Sequence, residues 1–155
     1  MNNIIKLFFV GILLSSCTPE GEIYNEHKEL SPEIEWKRKD ARKFEVPIKD
    51  NSMDYDLSLS FRYAEGYPYK TAKVKVTEKS PSGKETISEY DLTVRKDNGD
   101  YIGEGSLDIW DSEHIVEKGK KFEEIGTYTY VIQHNMPQDP MPMAMEIGVI
   151  IRESK

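Results

Sequence analysis

The chain has 155 residues, with 21 Lys and Arg against 28 Asp and Glu for a formal net charge of −7, three His and a single Cys. One cysteine excludes an internal disulfide framework, and the acidic balance disfavours nucleic acid and anionic head groups as partners. A chain of this length holds one well-formed core and is too short for two ordinary domains.

Residues 1–16 read as a cleaved signal peptide. Lys6 supplies a positive start, Leu7 to Leu14 is an almost wholly apolar run, and Ser15 and Ser16 are small residues directly before Cys17. The run is far shorter than the ~20 residues that cross a bilayer, so removal is expected rather than retention as a spanning helix. Leu14-Ser15-Ser16-Cys17 fits the bacterial lipobox. A peptidase needs small residues in the extended segment before its cut, and the Cys17 thiol must be free to accept a diacylglycerol. Cys17 is therefore the expected lipid-attachment site, and as residue one it carries chains on sulfur and amine, which makes attachment stable where one chain would be marginal. Removing Lys6 with the signal leaves 20 basic against 28 acidic residues, a net charge of −8.

Residues 17–23 form the expected tether, with Pro, Gly and two acids and little to bury. Residues 24–155 are expected to form one domain. Their dominant signal has period two: Phe44, Val46 and Ile48; then Tyr55, Leu57, Leu59, Phe61 and Tyr63; then Ala72, Val74 and Val76. The same alternation returns in Tyr128, Tyr130 and Ile132, and in Met143, Met145, Ile147, Val149 and Ile151. Each set marks a strand with one face buried. Ser80-Pro81-Ser82-Gly83 and Asp97-Asn98-Gly99-Asp100 are hairpin turns by composition. Pro47 lacks an amide donor, which predicts an edge or bulged strand there. About seven to nine short strands without a helical stripe predict an all-β fold, an antiparallel β-sandwich of Greek-key or jelly-roll type.

No motif for catalysis is present: there is no nucleophile elbow, phosphate loop or dinucleotide fingerprint. The expectation is a protein without an enzymatic step or cofactor. His27, His114 and His134 lie far apart with no metal-ligand spacing, so a shared metal site is not expected. Asp108, Asp111 and Glu113 crowd around Trp110, but the spacing specifies neither a calcium loop nor opposed acid and base carboxyls. Met141, Met143 and Met145 have the soft sulfur that holds Cu(I), yet spacing two equally places three adaptable fillers on one strand face, which is the preferred reading. The loop from Met136 to Pro142 and the segment Asp108 to Asp111 are the candidate partner surface, comprising Asp108, Trp110, Asp111, Pro140 and Met141, with Trp110 and Met141 as anchors. The competing reading packs both anchors inside the sandwich.

Five segments together are similar to a known family. They are WKRKDARKFEVPI from Trp36, LSLSFRYAEGYPY from Leu57, GEGSLDIWD from Gly103, FEEIGTYTYVIQHNM from Phe122 and the closing MEIGVIIRE from Met145. With the Cys17 lipobox they resemble the gliding-motility lipoprotein GldH family of Bacteroidetes. The resemblance spans the mature chain. It departs at Phe122-Glu123 in place of Phe-Pro, at Pro137 in place of an arginine, and at Lys70-Thr71-Ala72 in place of Asn-Leu-Trp. It implies a lipid-anchored protein of the cell envelope, in the outer membrane, serving gliding and the type IX secretion apparatus through contacts with other envelope proteins. The alternative is a carbohydrate-binding jelly roll, suggested by nine Tyr and two Trp. That function requires exposed, coplanar rings, whereas Tyr128 and Tyr130 alternate as inward residues do.

Overall fold

A computed structural model describes residues 19–155, and the signal segment and Cys17 lie outside the described residues. The alternating runs become strands, eleven among the described residues: β1 (Glu22–Glu29), β2 (Glu35–Trp36), β3 (Arg42–Ile48), β4 (Tyr55–Ala64), β5 (Thr71–Lys79), β6 (Glu85–Thr93), β7 (Glu104–Ser106), β8 (Ile109–Lys120), β9 (Gly126–His134), β10 (Met141–Pro142) and β11 (Ala144–Glu153). The count exceeds seven to nine because β2, β7 and β10 have only two or three residues, too few to show a period. β1 begins at Glu22, so the domain starts two residues earlier than composition suggested.

All pairings are antiparallel. Five strands form one sheet in the order β1-β11-β4-β8-β7, four form a second in the order β3-β9-β5-β6, and β2 and β10 make a separate pair. Without the three short strands, the first strand lies beside the last, β3 beside β9, β4 beside β8 and β5 beside β6. That nesting is a long hairpin rolled over a core, the strand order of a jelly roll. Pro47 sits in β3, an edge strand that pairs only with β9, as its missing donor requires.

The core is the sum of the alternating faces. Tyr55, Leu57, Leu59, Phe61 and Tyr63 of β4 face Phe44, Val46, Ile48, Ala72, Val74, Val76, Tyr128, Tyr130 and Ile132 of the second sheet, with Ile147, Val149 and Ile151 of β11 beside them. Each such side chain contributes about 1.5–3 kcal/mol by leaving water, which lets the fold stand without a disulfide. Both composition-marked turns form: Gly83 (φ 94°) donates to the Ser80 carbonyl at 2.9 Å, and Gly99 (φ 92°) to the Lys96 carbonyl at 3.0 Å.

One alternating set fails. Met143 has φ 58° and Met145 is the extra residue of a bulge between Ala144 and Glu146, so β11 carries Ala144 inward and leaves Met143 exposed. Met141 belongs to a different strand, β10, so the three methionines do not share a face.

The sandwich has two distinct ends. Gly21 accepts from the Glu153 amide at 2.8 Å, Ser154 donates to Asp54 at 2.8 Å, and Ser82 donates to Glu124, which gathers the start of the described chain, its end and the β5–β6 hairpin. At the opposite end Ala64 donates to the Met143 carbonyl at 2.9 Å and Glu65 to the Asp108 carbonyl at 2.7 Å.

Candidate interaction surface

The far end of β4 brings the two candidate segments together, one on each side, but their roles differ from expectation. Met141 is fully buried, pairs with Trp36, and its sulfur accepts the Tyr67 hydroxyl at 3.3 Å. Trp110 lies opposite Tyr63 and packs on the core, its ring 5.1 Å from that of Tyr101. A Cβ at position 105 would stand 2.8 Å from the indole, so Gly105 is what lets β7 lie flat over it. The indole N–H is buried with no hydrogen-bond partner. Met141 is thus a core residue and Trp110 a partly buried one packed against the core, for the same reason: a large apolar group at a strand position facing the second sheet leaves water. Asp108 is exposed and Pro140 partly so. Asp111 is exposed, but both its oxygens accept from the Arg62 guanidinium, at 2.7 and 3.1 Å.

The apolar groups that do face solvent here are others. Leu107 is 94% exposed, Ile34 39%, Met143 38% and Ile109 38%. Sequence reasoning passed over Ile34 and Leu107 because neither lies in an alternating run.

The outer face of the five-stranded sheet carries a polar groove of about 470 Å³. Arg62 bridges Asp111 and Glu146 (2.6 Å), and Arg152 bridges Glu22 (3.0 Å) and Glu113. Between these ion pairs the floor is small: a Cβ at Gly148 would meet Ser60 Oγ at 2.2 Å and His27 Nδ1 at 2.7 Å, and those two atoms are bonded at 2.9 Å. The Asp111 hydrogen bond, opposed by partial burial, raises the Arg62 pKa further. Burial pushes the Glu113 carboxyl up, yet Arg152 more than offsets it and holds the group below its ordinary value.

A second cavity, about 330 Å³, opens between the sheets at the end where the described chain begins. Lys120 bridges Glu78 and Glu117 at 2.9 Å each, and the Tyr90 hydroxyl donates to Glu117 at 2.5 Å. Burial works against the charged Lys120, but the two carboxylates raise its pKa on balance. Glu117 likewise ends below its usual value because Tyr90 and Lys120 outweigh its burial. The Tyr130 hydroxyl above this cluster is buried without a hydrogen bond of acceptable geometry; burial and the neighbouring Glu78 both raise its pKa. In this cluster a single ammonium group is shared by two carboxylates.

The histidines stand on three strands. His27 is exposed on β1, His114 is half-buried on β8, and His134 is buried at the end of β9, bonded to Asp139 at 3.2 Å. Among the described residues no group of three or more His, Cys, Asp or Glu is arranged to hold a metal, and no helix is long and apolar enough to cross a membrane.

Comparison with known proteins places this geometry. The gliding motility lipoprotein GldH homolog of Christiangramia forsetii is 31% identical over 137 residues, covering 86% of this chain and 80% of its own. The gliding motility lipoprotein GldH of Flavobacterium johnsoniae is 25% identical over 117 residues, covering 76% and 72%. Among solved structures, a GH115 4-O-methyl-alpha-glucuronidase with specificity for decorated arabinogalactans aligns with a TM-score of 0.40 and 13% identity, covering 89% of this chain and 18% of that one; a likeness at this level bears on neither activity nor ligand. The profile of the family described as GldH lipoprotein matches residues 22–151, from the first residue of β1 to within two residues of the end of β11. Because that match takes in the whole sandwich, the chain belongs to the GldH lipoprotein family.

Proposed function

We propose that this lipid-anchored envelope protein is a gliding-motility protein of the outer membrane, held by acylated Cys17, and that it acts without catalysis as an interaction module for other envelope proteins of the motility and type IX secretion apparatus. The names of its relatives support the motility assignment. The observation that carries the interaction reading is the polarity of the sandwich: the described chain starts at one end, and the loops around Asp108 and Met143 lie at the other. Five residues, 17–21, reach at most about 18 Å when extended, so the anchored end stays close to the bilayer. β4, with ten residues, spans roughly 33 Å. The loops therefore face away from the membrane, where a partner meets them.

The anchor is tested by Cys17→Ala. Detergent-phase partitioning should fall to the level of a soluble protein, and density-gradient fractions should lose the protein from the outer membrane. A Cys17→Ala variant that still partitions into detergent overturns the anchor. Proximity labelling from the anchored protein should mark motility or secretion components; labelling of none of them counts against the interaction reading.

One observation favours a second reading, carbohydrate binding: the outer-face groove alternates donors and acceptors on Asn25, His27, Ser60, Arg62 and Glu113. The ring platform such sites use is not formed by Tyr128 and Tyr130, which are buried. Titration with envelope glycans up to about 10 mM, a range that detects even weak sites, should move groove resonances if this reading holds, and an unchanged spectrum removes it.

A further inference from the structure

Three residues other than glycine adopt positive φ among the described residues: Ile34 (55°), Leu107 (55°) and Met143 (58°). All three are apolar, all are exposed, and all lie at the end of the sandwich away from the start of the described chain. Left-handed backbone is sterically unfavourable for an L-residue, and for a β-branched side chain such as Ile34 it is an outlier. Gly or Asn would serve each turn better. Leu107 is the clearest case. It and Asp108 form the two-residue turn between Ser106 and Ile109, a position that favours Gly or Asn, and at 94% exposure it buries almost nothing in return. Strain that the fold does not repay points to function.

The strained residues fall into a line. Met141 and Pro142 pair with Trp36 and Glu35, so Met143 and Ile34 leave that pair from the same end. Ala64 donates to the Met143 carbonyl on one side and pairs with Ile109 on the other. Ile109 in turn pairs with Ser106, next to Leu107. Ile34, Met143, Ile109 and Leu107 thus form an apolar row across the end of the five-stranded sheet. Glu33, Glu65, Glu104 and Asp108 border it; all four are exposed, and none enters an ion pair among the described residues.

We propose that this row is a protein-docking edge, with Leu107 as its anchor, for an envelope protein that presents an apolar socket rimmed by Lys and Arg. The inference rests on the interaction reading above and names its surface. The four free carboxylates select the occupant. They attract a basic rim and set register on encounter, whereas a bilayer surface would have to accept four unneutralised anions. An apolar centre with a charged rim is also the usual anatomy of a specific interface.

The test uses the full-length lipidated protein in its own cells, with a photo-crosslinking side chain placed in turn at Ile34, Leu107 and Met143. Controls sit at Ile87 and Ile115, which are 65% and 59% exposed elsewhere on the molecule. The expected result is adducts to one and the same protein from the three row positions and none from the controls. That protein, identified by mass spectrometry and purified, should bind the unmodified chain less tightly as salt rises. Leu107→Asn and Glu65→Lys should each weaken it by on the order of tenfold or more. Leu107→Asn should at the same time leave the melting temperature equal or higher, because Asn relieves the strained turn; this separates lost docking from lost folding. A lower melting temperature for Leu107→Asn, equal adducts from Ile87, or adducts to phospholipid would each overturn the proposal. Protein adducts from positions off the row alone would overturn this surface while leaving the interaction reading standing. If a scan of all exposed faces yields no protein adduct, both fall.

Discussion

Single residues decide how sharply the interior is specified. Tyr130 is fully buried while Thr129, one position away, faces outward beside Glu45 and Lys79. Tyr130→Asp should cost more than about 4 kcal/mol by placing a charge among packed rings, and Thr129→Asp less than about 1 kcal/mol. Tyr130→Phe should be neutral or stabilising by about 1 kcal/mol, since it removes a hydroxyl without a good partner. Urea denaturation of the three variants checks these together; equal losses for the two Asp variants would show the register of β9 to be wrong. His134 sets a pH response. Its Nδ1 accepts the Met136 amide at 3.3 Å, which leaves Nε2–H for Asp139, and burial depresses its pKa despite that carboxylate. The unfolded chain takes up this proton below about pH 6.5 while the folded chain resists it, so stability is full above that pH and is lost as pH falls. His114, also depressed by burial, adds the same sign. The urea midpoint should drop between about pH 7 and 5, and His134→Gln should make the drop shallower. An unchanged slope would refute the role of His134.

At the scale of elements, the strands differ in how firmly they are held. β4, β9 and β11 are paired on both sides, whereas β7 pairs only with β8 through three residues and β2 and β10 pair only with each other. Amide hydrogen exchange should therefore be slower in the middle of β9 than in β7 by roughly a hundredfold or more, reflecting local opening against global unfolding. Protected β7 amides would mean that the strap over Trp110 is part of the cooperative core. Gly148 shows how two strands depend on one missing side chain. Gly148→Ala should cost about 1–3 kcal/mol through overpacking against Ser60. Adding Ser60→Ala should recover part of that loss, because the two atoms that collide are no longer both present. Strict additivity in the double-mutant cycle would exclude the contact. The alternating strands were legible residue by residue, down to the edge position of Pro47. The bulge at Met145 was not, since a one-residue insertion leaves the composition of the run unchanged while reversing which side chains point inward.

For the whole molecule, the two ends matter more than any cavity. Away from the loop end the ionic groups are paired: Arg62 and Arg152 each lie between two carboxylates, and Lys120 between two more. Uncompensated acids remain at the loop end, next to the exposed apolar row. Net charge alone pointed away from nucleic acid and gave no location. Of the candidate segments, Asp108 and Met136 to Pro140 lie in loops, whereas Ile109 to Asp111 belong to β8 and Met141 and Pro142 to β10, and the fold gathers them at one end. Their anchors were misassigned because Trp110 and Met141 are the kind of side chain found in an interface core and in a protein core alike.

What sequence determined by itself was whatever depends on neighbours along the chain: the period-two faces, the glycine turns and the family. The tertiary structure alone decided which of the large apolar groups remain in water. Burial is set by what the opposite sheet brings within reach, as when Tyr67 and Trp36 close over Met141. Backbone sign is set by how strands must be joined in space, which is why Ile34, Leu107 and Met143 took left-handed conformations that their side chains disfavour.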